Sequence, residues 1–298
     1  MMADIKKGKM SKSTKRIRAK SLLFMAPSLS GVIAFFVAPM LIVLFYSFVN
    51  NPLGRKFVGL DNYADILNNG SFKVAVLNTV KFSAIGVPLV VILSLLVALA
   101  LEQSIPGKSK IRSCLLTPMM VPIASVILIW QVLFNYNGVV NEMASSFGGT
   151  SIDWLKSDKG MLVIVLLFVW KNLGYNMVLF MAALANIPEE FEEVARLDGG
   201  TEWQIFWNIK FRYLASSILF VTILSLINSF KVFREIYLLS GDYPYDSLYM
   251  LQTYMNNMFR SLDYQKLSTA AILMALVMIV IVSLMFVIEN KFGSDLEE

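Results

Sequence analysis

Two groups of residues carry polar chemistry in a chain that is otherwise strongly apolar. The first is split between two hydrophobic runs. Trp170, Lys171, Asn172, Tyr175 and Asn176 stand near the middle of one, and Asn228, Ser229, Lys231, Arg234 and Glu235 stand in the next. Ionisable groups at membrane depth are costly and usually face a bundle interior or a water-filled path. Asn172 and Asn176 stand at i and i+4, so they share a helix face, and Asn228, Lys231 and Glu235 share another. Amides and aromatic faces so placed can line a path for a polar solute. The same amides can also join helices by hydrogen bonds. Lys231 and Glu235 read as a structural pair that neutralises itself, although Lys before Glu is the poorer order. The Met and Phe residues read as core and lipid-facing filler.

The second group is the charge-rich stretch Asn186 to Leu214, NIPEEFEEVARLDGGTEWQIFWNIKFRYL. Pro188 suits a first helical turn, where its missing N–H is not needed. Glu189, Glu190, Glu192 and Glu193 favour the positive end of the helix dipole. Asp198-Gly199-Gly200 then stops the helix, because glycine takes the left-handed conformation readily. Thr201 and Gln204 form a capping-box pattern for a second short helix. Phe191, Val194 and Ala195 share one face of the first helix; Trp203, Phe206 and Trp207 share one face of the second. The stretch is therefore a pair of short amphipathic helices between two apolar runs. It can pack on its own neighbours or fill a partner's groove.

These residues resemble the cytoplasmic EAA loop of ABC-importer permeases. Glu193-Val194-Ala195, Asp198-Gly199 and Ile209-Lys210-Phe211-Arg212 follow the order of that pattern. Val194 replaces its first Ala and Arg212 its closing Pro. Leu197-Asp198-Gly199 with Trp203-Gln204 is similar to the carbohydrate permeases related to the maltose transporter. Phe57-x-Gly59-Leu60-x-Asn62-Tyr63 and Gly138-x-x-Asn141 resemble motifs of the same family. So do Gly174-Tyr175-Asn176-Met177 and the stretch from Phe230 to Pro244, where Ser240-Gly241-Asp242-Tyr243 departs from the usual glycine-rich turn. The likeness runs from about residue 21 to about 290.

Composition sets the class. Of 298 residues, 57% are hydrophobic and 16% charged, and the mean hydropathy is +0.64. A soluble domain is nearer half apolar and a quarter charged. There is no His, which removes His-dependent metal sites and bases, and the single Cys, Cys114, excludes an internal disulfide. The net charge of +5 does not point to nucleic acid, because eight Lys and Arg lie in the first twenty residues, just before an apolar run. That placement is a topology signal, with attraction to anionic membrane lipid second. The sequence has no Gly-x-x-x-x-Gly-Lys-Ser/Thr phosphate loop and no Gly-x-Ser-x-Gly elbow.

The elements that must position both groups are six apolar spans, each long enough to cross a bilayer. They are predicted at about 21–48, 74–101, 114–134, 160–184, 213–239 and 267–288. A basic tail precedes them at 1–20, a loop at 186–212 joins the fourth and fifth, and an acidic tail follows at 291–298. The first run is too long for a signal peptide's core and ends in no cleavage site. Pro27 and Pro39 interrupt the first span, and Pro118 and Pro122 kink the start of the third. The tail, the loop carrying Lys108, Lys110 and Arg112, and the 186–212 loop all fall on the cytoplasmic side by the positive-inside rule, with both termini cytoplasmic.

The expectation is an all-α, multi-pass protein of the bacterial plasma (inner) membrane, of the type I ABC-importer kind. The resemblance implies a permease subunit for an oligosaccharide or sugar derivative, not itself an enzyme. It implies a second homologous permease, two ATPase subunits that bind ATP and Mg, and an extracytoplasmic solute-binding protein. No cofactor is expected in this chain. Glu193, Ala195, Asp198, Gly199 and Trp203 would shape the ATPase-coupling loop. Trp170, Asn172, Tyr175, Asn176, Asn228 and Lys231 would line the substrate path. The alternative is a self-contained carrier that uses Lys231, Arg234 and Glu235 as an ion relay; it would show internal repeats with midplane breaks, which are not clear in the sequence.

Overall fold

A computed structural model describes residue 21 and residues 24–50, 54–103 and 105–293. The basic tail at 1–20 and residues 294–298 lie outside the described residues. Among those described, every long element is helical. Five helices are long and apolar enough to cross a membrane: α1 (Phe24–Tyr46), α3 (Gly70–Glu102), α7 (Gly160–Leu184), a run from Glu202 to Ser240, and α13 (Tyr264–Gly293).

The third predicted span is a broken one. α4 (Lys108–Met120) and α5 (Ile123–Leu133) meet at 98°. Pro118 stays inside α4, while Pro122 sets the N-cap of α5 with φ −55° and ψ 130°. The residue before a proline is pushed out of the helical region, and Val121 is extended at ψ 135°. So Pro122, in the middle of the predicted span, makes the break. In α1 the chain absorbs Pro39 differently. A π-helical turn, Ile33–Val37, closes with the Ala38 N–H donating to the Ile33 carbonyl, and the helix continues to Tyr46.

The 186–212 loop and the fifth span are not separate elements. α9 (Glu202–Ile205) passes through a π-helical turn, Phe206–Lys210, into α10 (Phe211–Phe230). With Arg212 in place of a proline nothing breaks the backbone hydrogen bonds there. The break comes later, at Lys231–Val232, before α11 (Phe233–Ser240). Helix boundaries also extend the expected spans: α3 begins at Gly70, and α13 begins at Tyr264 and carries on to Gly293 through the start of the expected acidic tail.

The core lies between α3, α7 and α10. Lipid tails are as apolar as Leu, so close packing and hydrogen bonds, rather than escape from water, hold such helices together. The contacts fit that rule. A β-carbon at Gly86 would press on the Phe168 ring at 3.3 Å, and one at Gly174 would overlap the Leu115 carbonyl oxygen of α4. The Ser83 and Ser229 hydroxyls are 2.8 Å apart, the Ser94 hydroxyl donates to the Leu173 carbonyl at 3.1 Å, and the Asn176 amide donates to the Ser225 hydroxyl at 2.8 Å. α1 and α13 pack beside this core, with the short α12 (Leu251–Arg260) set against α3 and α13; α1 and α13 turn Phe24, Phe35, Phe36, Ile279 and Val287 outward, as lipid-facing helices do.

Two short motifs close the loops at the far end. α2 (Asp61–Asn68) follows Gly59, whose φ of +61° lies in the left-handed region. The Asn62 amide donates to the carbonyls of Ser47 and Val49, both at 2.9 Å, and the Tyr63 hydroxyl donates to the Ser47 hydroxyl at 2.8 Å. α6 (Val139–Ser146) carries Asn141, which is buried. Its amide donates to the Tyr136 and Ile152 carbonyls at 2.8 Å, and its oxygen accepts from the Trp154 indole at 2.9 Å.

Candidate functional sites

The 186–212 loop forms as a hairpin of two helices at one end of the bundle. α8 (Glu189–Leu197) starts one residue after Pro188, which is its N-cap rather than its first helical residue. Gly199 has φ +81° and donates to the Arg196 carbonyl at 3.1 Å; Gly200 donates to the Ala195 carbonyl at 2.9 Å. Those two bonds satisfy the last carbonyls of α8. The capping box is complete: Thr201 accepts from the Gln204 N–H, and the Gln204 side chain accepts from the Thr201 N–H at 2.8 Å.

A buried lysine that sequence reasoning missed holds this hairpin down. Lys210 is 8% exposed. Its ammonium lies 2.6 Å from Glu102 Oε2 at the end of α3 and 3.0 Å from Glu192 Oε1 on α8. Glu192 also pairs with Arg196 at 3.1 Å, and Arg196 with Glu202 at 2.9 Å. The hydrogen bond to Glu202 leads the interactions that raise the Arg196 guanidinium above its usual value. Within this chain the pairing carboxylate of α8 is thus Glu192. Glu193 is exposed and has no partner among the described residues. The signal for Lys210 was present: it is a lysine closing a turn that also carries Phe206, Trp207 and Ile209. Its partner Glu102 is remote in sequence.

The opposite face of the hairpin is apolar and open. Leu197 is 86% and Trp203 70% exposed, with Phe191 and Val194 exposed beside them. Ala195 is half-buried and Asp198 is exposed. Trp203 packs within its own side of the loop, edge-on to Trp207 at 5.6 Å and tilted on Phe206 at 6.4 Å.

The intramembrane residues divide. A cavity of about 630 Å³ is lined by Lys171, Asn172 and Tyr175 of α7 and by Asn228, Lys231, Arg234 and Glu235 of the broken helix. Asn228 donates to Asn172 across it at 3.4 Å. Asn176 is outside this lining and buried against Ser225. Trp170 is outside it too and meets Trp130 at 6.1 Å, in a ring series that continues to Phe134 and Trp154. The predicted Lys231–Glu235 pair does not form. Glu235 is buried and pairs with Lys171 of α7 at 2.5 Å. The helix ends at Lys231, so the i, i+4 geometry is lost, and Lys231 turns to the cavity wall.

These features define a polytopic α-helical membrane protein with a braced helical hairpin at one end and a polar cavity within its bundle. The chain belongs to the binding-protein-dependent transport system inner membrane components, whose family model matches residues 91–294. It is 27% identical over 278 residues to the trehalose/maltose transport system permease protein MalF of Thermococcus litoralis, covering 92% of this chain and 94% of that one. It is 30% identical over 298 residues to the probable ABC transporter permease protein YesP of Bacillus subtilis, covering 96% and 94%. The fold is that of a chain in the bacterial alginate ABC transporter. Two structures of that transporter match with TM-scores of 0.82 and 0.81 at 21% and 20% identity; each covers 94% of this chain, and the second holds an alginate pentasaccharide-bound periplasmic protein.

Proposed function

We propose that this chain is one of two membrane-spanning subunits of an ATP-driven importer for an oligosaccharide or sugar derivative. The single observation that carries the reading is the 186–212 hairpin. Its charged side is tied to α3 through Lys210, and its apolar side, Phe191, Val194, Leu197 and Trp203, stands open at the end of the bundle. An amphipathic helix presented in this way fits a groove on a partner, here an ATPase subunit. Because α9 runs into α10 without a loop, a push on the hairpin is delivered along a rigid helix to the cavity. Alternating access follows: closure of the ATPase pair moves the hairpin, the helices rock, and hydrolysis resets them. The 102–112 turn, the hairpin and both termini are assigned to the cytoplasm, and a solute-binding protein is assigned to the outer face.

A sugar as cargo is supported by the name of the trehalose/maltose relative and by the lining of amides and a tyrosine, which offer donors and acceptors to hydroxyls. The test is purification of the tagged chain from native membranes, followed by ATPase assay of what accompanies it. The expected result is a co-purifying ATPase and second permease, both reduced by Leu197→Glu with Trp203→Glu. A central apolar anchor of this kind is worth ~2 kcal/mol of binding, roughly thirtyfold in affinity. A chain that purifies without ATPase, and transports under a proton or sodium gradient, would overturn the reading.

A further inference from the structure

We propose that the 630 Å³ cavity is a subsite for an acidic saccharide, one that carries a carboxylate beside free hydroxyls. The proposal rests on the importer reading above and names its cargo class. The first observation is a charge imbalance. The wall carries Lys171, Lys231 and Arg234 against Glu235. Lys171 and Glu235 are spent on each other. Lys231 and Arg234 have no carboxylate partner among the described residues, and both are exposed on the cavity side of the helix break. Two uncompensated cations among membrane helices call for an anion.

The second observation comes from Glu235 itself. One oxygen takes Lys171; the other, Oε2, is buried with no hydrogen-bond partner. Buried polar atoms are nearly always satisfied, so this acceptor calls for a donor. A simple anion would answer the cations but would leave Oε2 without a donor. A neutral sugar would answer Oε2 but leave the cations as they are. A uronate answers both, with its carboxylate toward Lys231 and Arg234 and a hydroxyl toward Oε2. Asn172 and Asn228 supply further hydroxyl contacts between the two poles. The volume suits a short oligosaccharide unit.

The test uses the complete transporter in phosphatidylcholine nanodiscs. The probes are trisaccharides of galacturonate, glucuronate and mannuronate, their neutral methyl esters, and maltotriose. At least one acid should bind about tenfold or more tighter than its own ester, the scale of a close charge pair. Lys231→Gln with Arg234→Gln should erase that ratio while leaving the ester's affinity in place. Esters or maltotriose binding as well as the acids would overturn the acidic assignment and leave the carbohydrate reading standing. Binding of no saccharide would remove both. A transporter that shows no acid preference, yet carries native phosphatidylglycerol that the double variant loses, would assign the cations to a lipid headgroup and overturn the proposal.

Discussion

Lys210 and Lys231 flank one helix, α10, as its N-cap and C-cap residues, and the structure treats them in opposite ways. Lys210 is buried between Glu102 and Glu192. Lys231 stands on a cavity wall with no carboxylate partner among the described residues. The first arrangement is complete within the chain, so its role is mechanical: it fixes the hairpin to α3. The second is incomplete within the chain, so its completion must come from outside. A charge that is satisfied internally marks a joint, and a charge that is not marks a place for a ligand or partner. The packing around each follows suit. The hairpin root is ion-paired on three helices, whereas the cavity wall is interrupted by a helix break.

The comparison depends first on the frame that holds the two regions together. Gly174 sits between Lys171–Asn172 and Tyr175–Asn176, where α7 touches the α4 backbone at Leu115. Gly174→Ala is expected to have the largest effect. The added carbon would overlap a carbonyl rather than a movable side chain, at a cost above ~3 kcal/mol. The expected readout is loss of the assembled complex from detergent extracts. Normal recovery and melting would mean that α4 can shift away from α7, and the cavity geometry would have to be redrawn.

The joint itself is tested next. Lys210→Met leaves Glu102 without a cation and Glu192 with Arg196 alone. Breaking a buried pair from one side costs about 3 kcal/mol. The expected result is a lower melting temperature of the complex and ATP hydrolysis no longer matched by transport. Adding Glu102→Gln and Glu192→Gln should restore much of the melting temperature, because the uncompensated charge is then gone, but not the coupling. If transport per ATP is unchanged in Lys210→Met, the joint reading fails and Lys210 serves stability alone.

The hairpin was more legible in the sequence than the cavity, for a physical reason. Caps, glycine stops and amphipathic faces are local: Gly199 and the Thr201–Gln204 box follow from residues a few positions apart. Ion pairs between helices are not local. Glu102–Lys210 and Lys171–Glu235 join residues 108 and 64 positions apart. Periodicity alone paired Lys231 with Glu235, because it assumed a helix that the structure ends at Lys231. The 98° turn at Pro122 was hidden similarly. Its proline was visible, but hydropathy does not distinguish a kinked span from two helices at a right angle.

The finest division lies within one helix face, between Asn172 and Asn176. Both are amides on α7 at i and i+4, and spacing alone gave them the same standing. Asn176 is 1% exposed and donates to Ser225 of α10, while Asn172 lines the cavity and accepts from Asn228 only at 3.4 Å. Asn176→Ala is therefore expected to act on stability alone. It removes one interhelical hydrogen bond, worth about 1 kcal/mol in a membrane bundle, and lowers the melting temperature by a small, measurable amount at unchanged transport selectivity. Asn172→Ala is expected to do the reverse: its side chain lines the cavity rather than joining two helices tightly, so melting should stay within error while the transport KM rises. The measurement is a paired one, a melting curve and uptake kinetics for both variants in the same complex. If Asn176→Ala changes KM as much as Asn172→Ala does, the two amides act on one site through α7, and the boundary between joint and cavity must be moved one helical turn toward the hairpin.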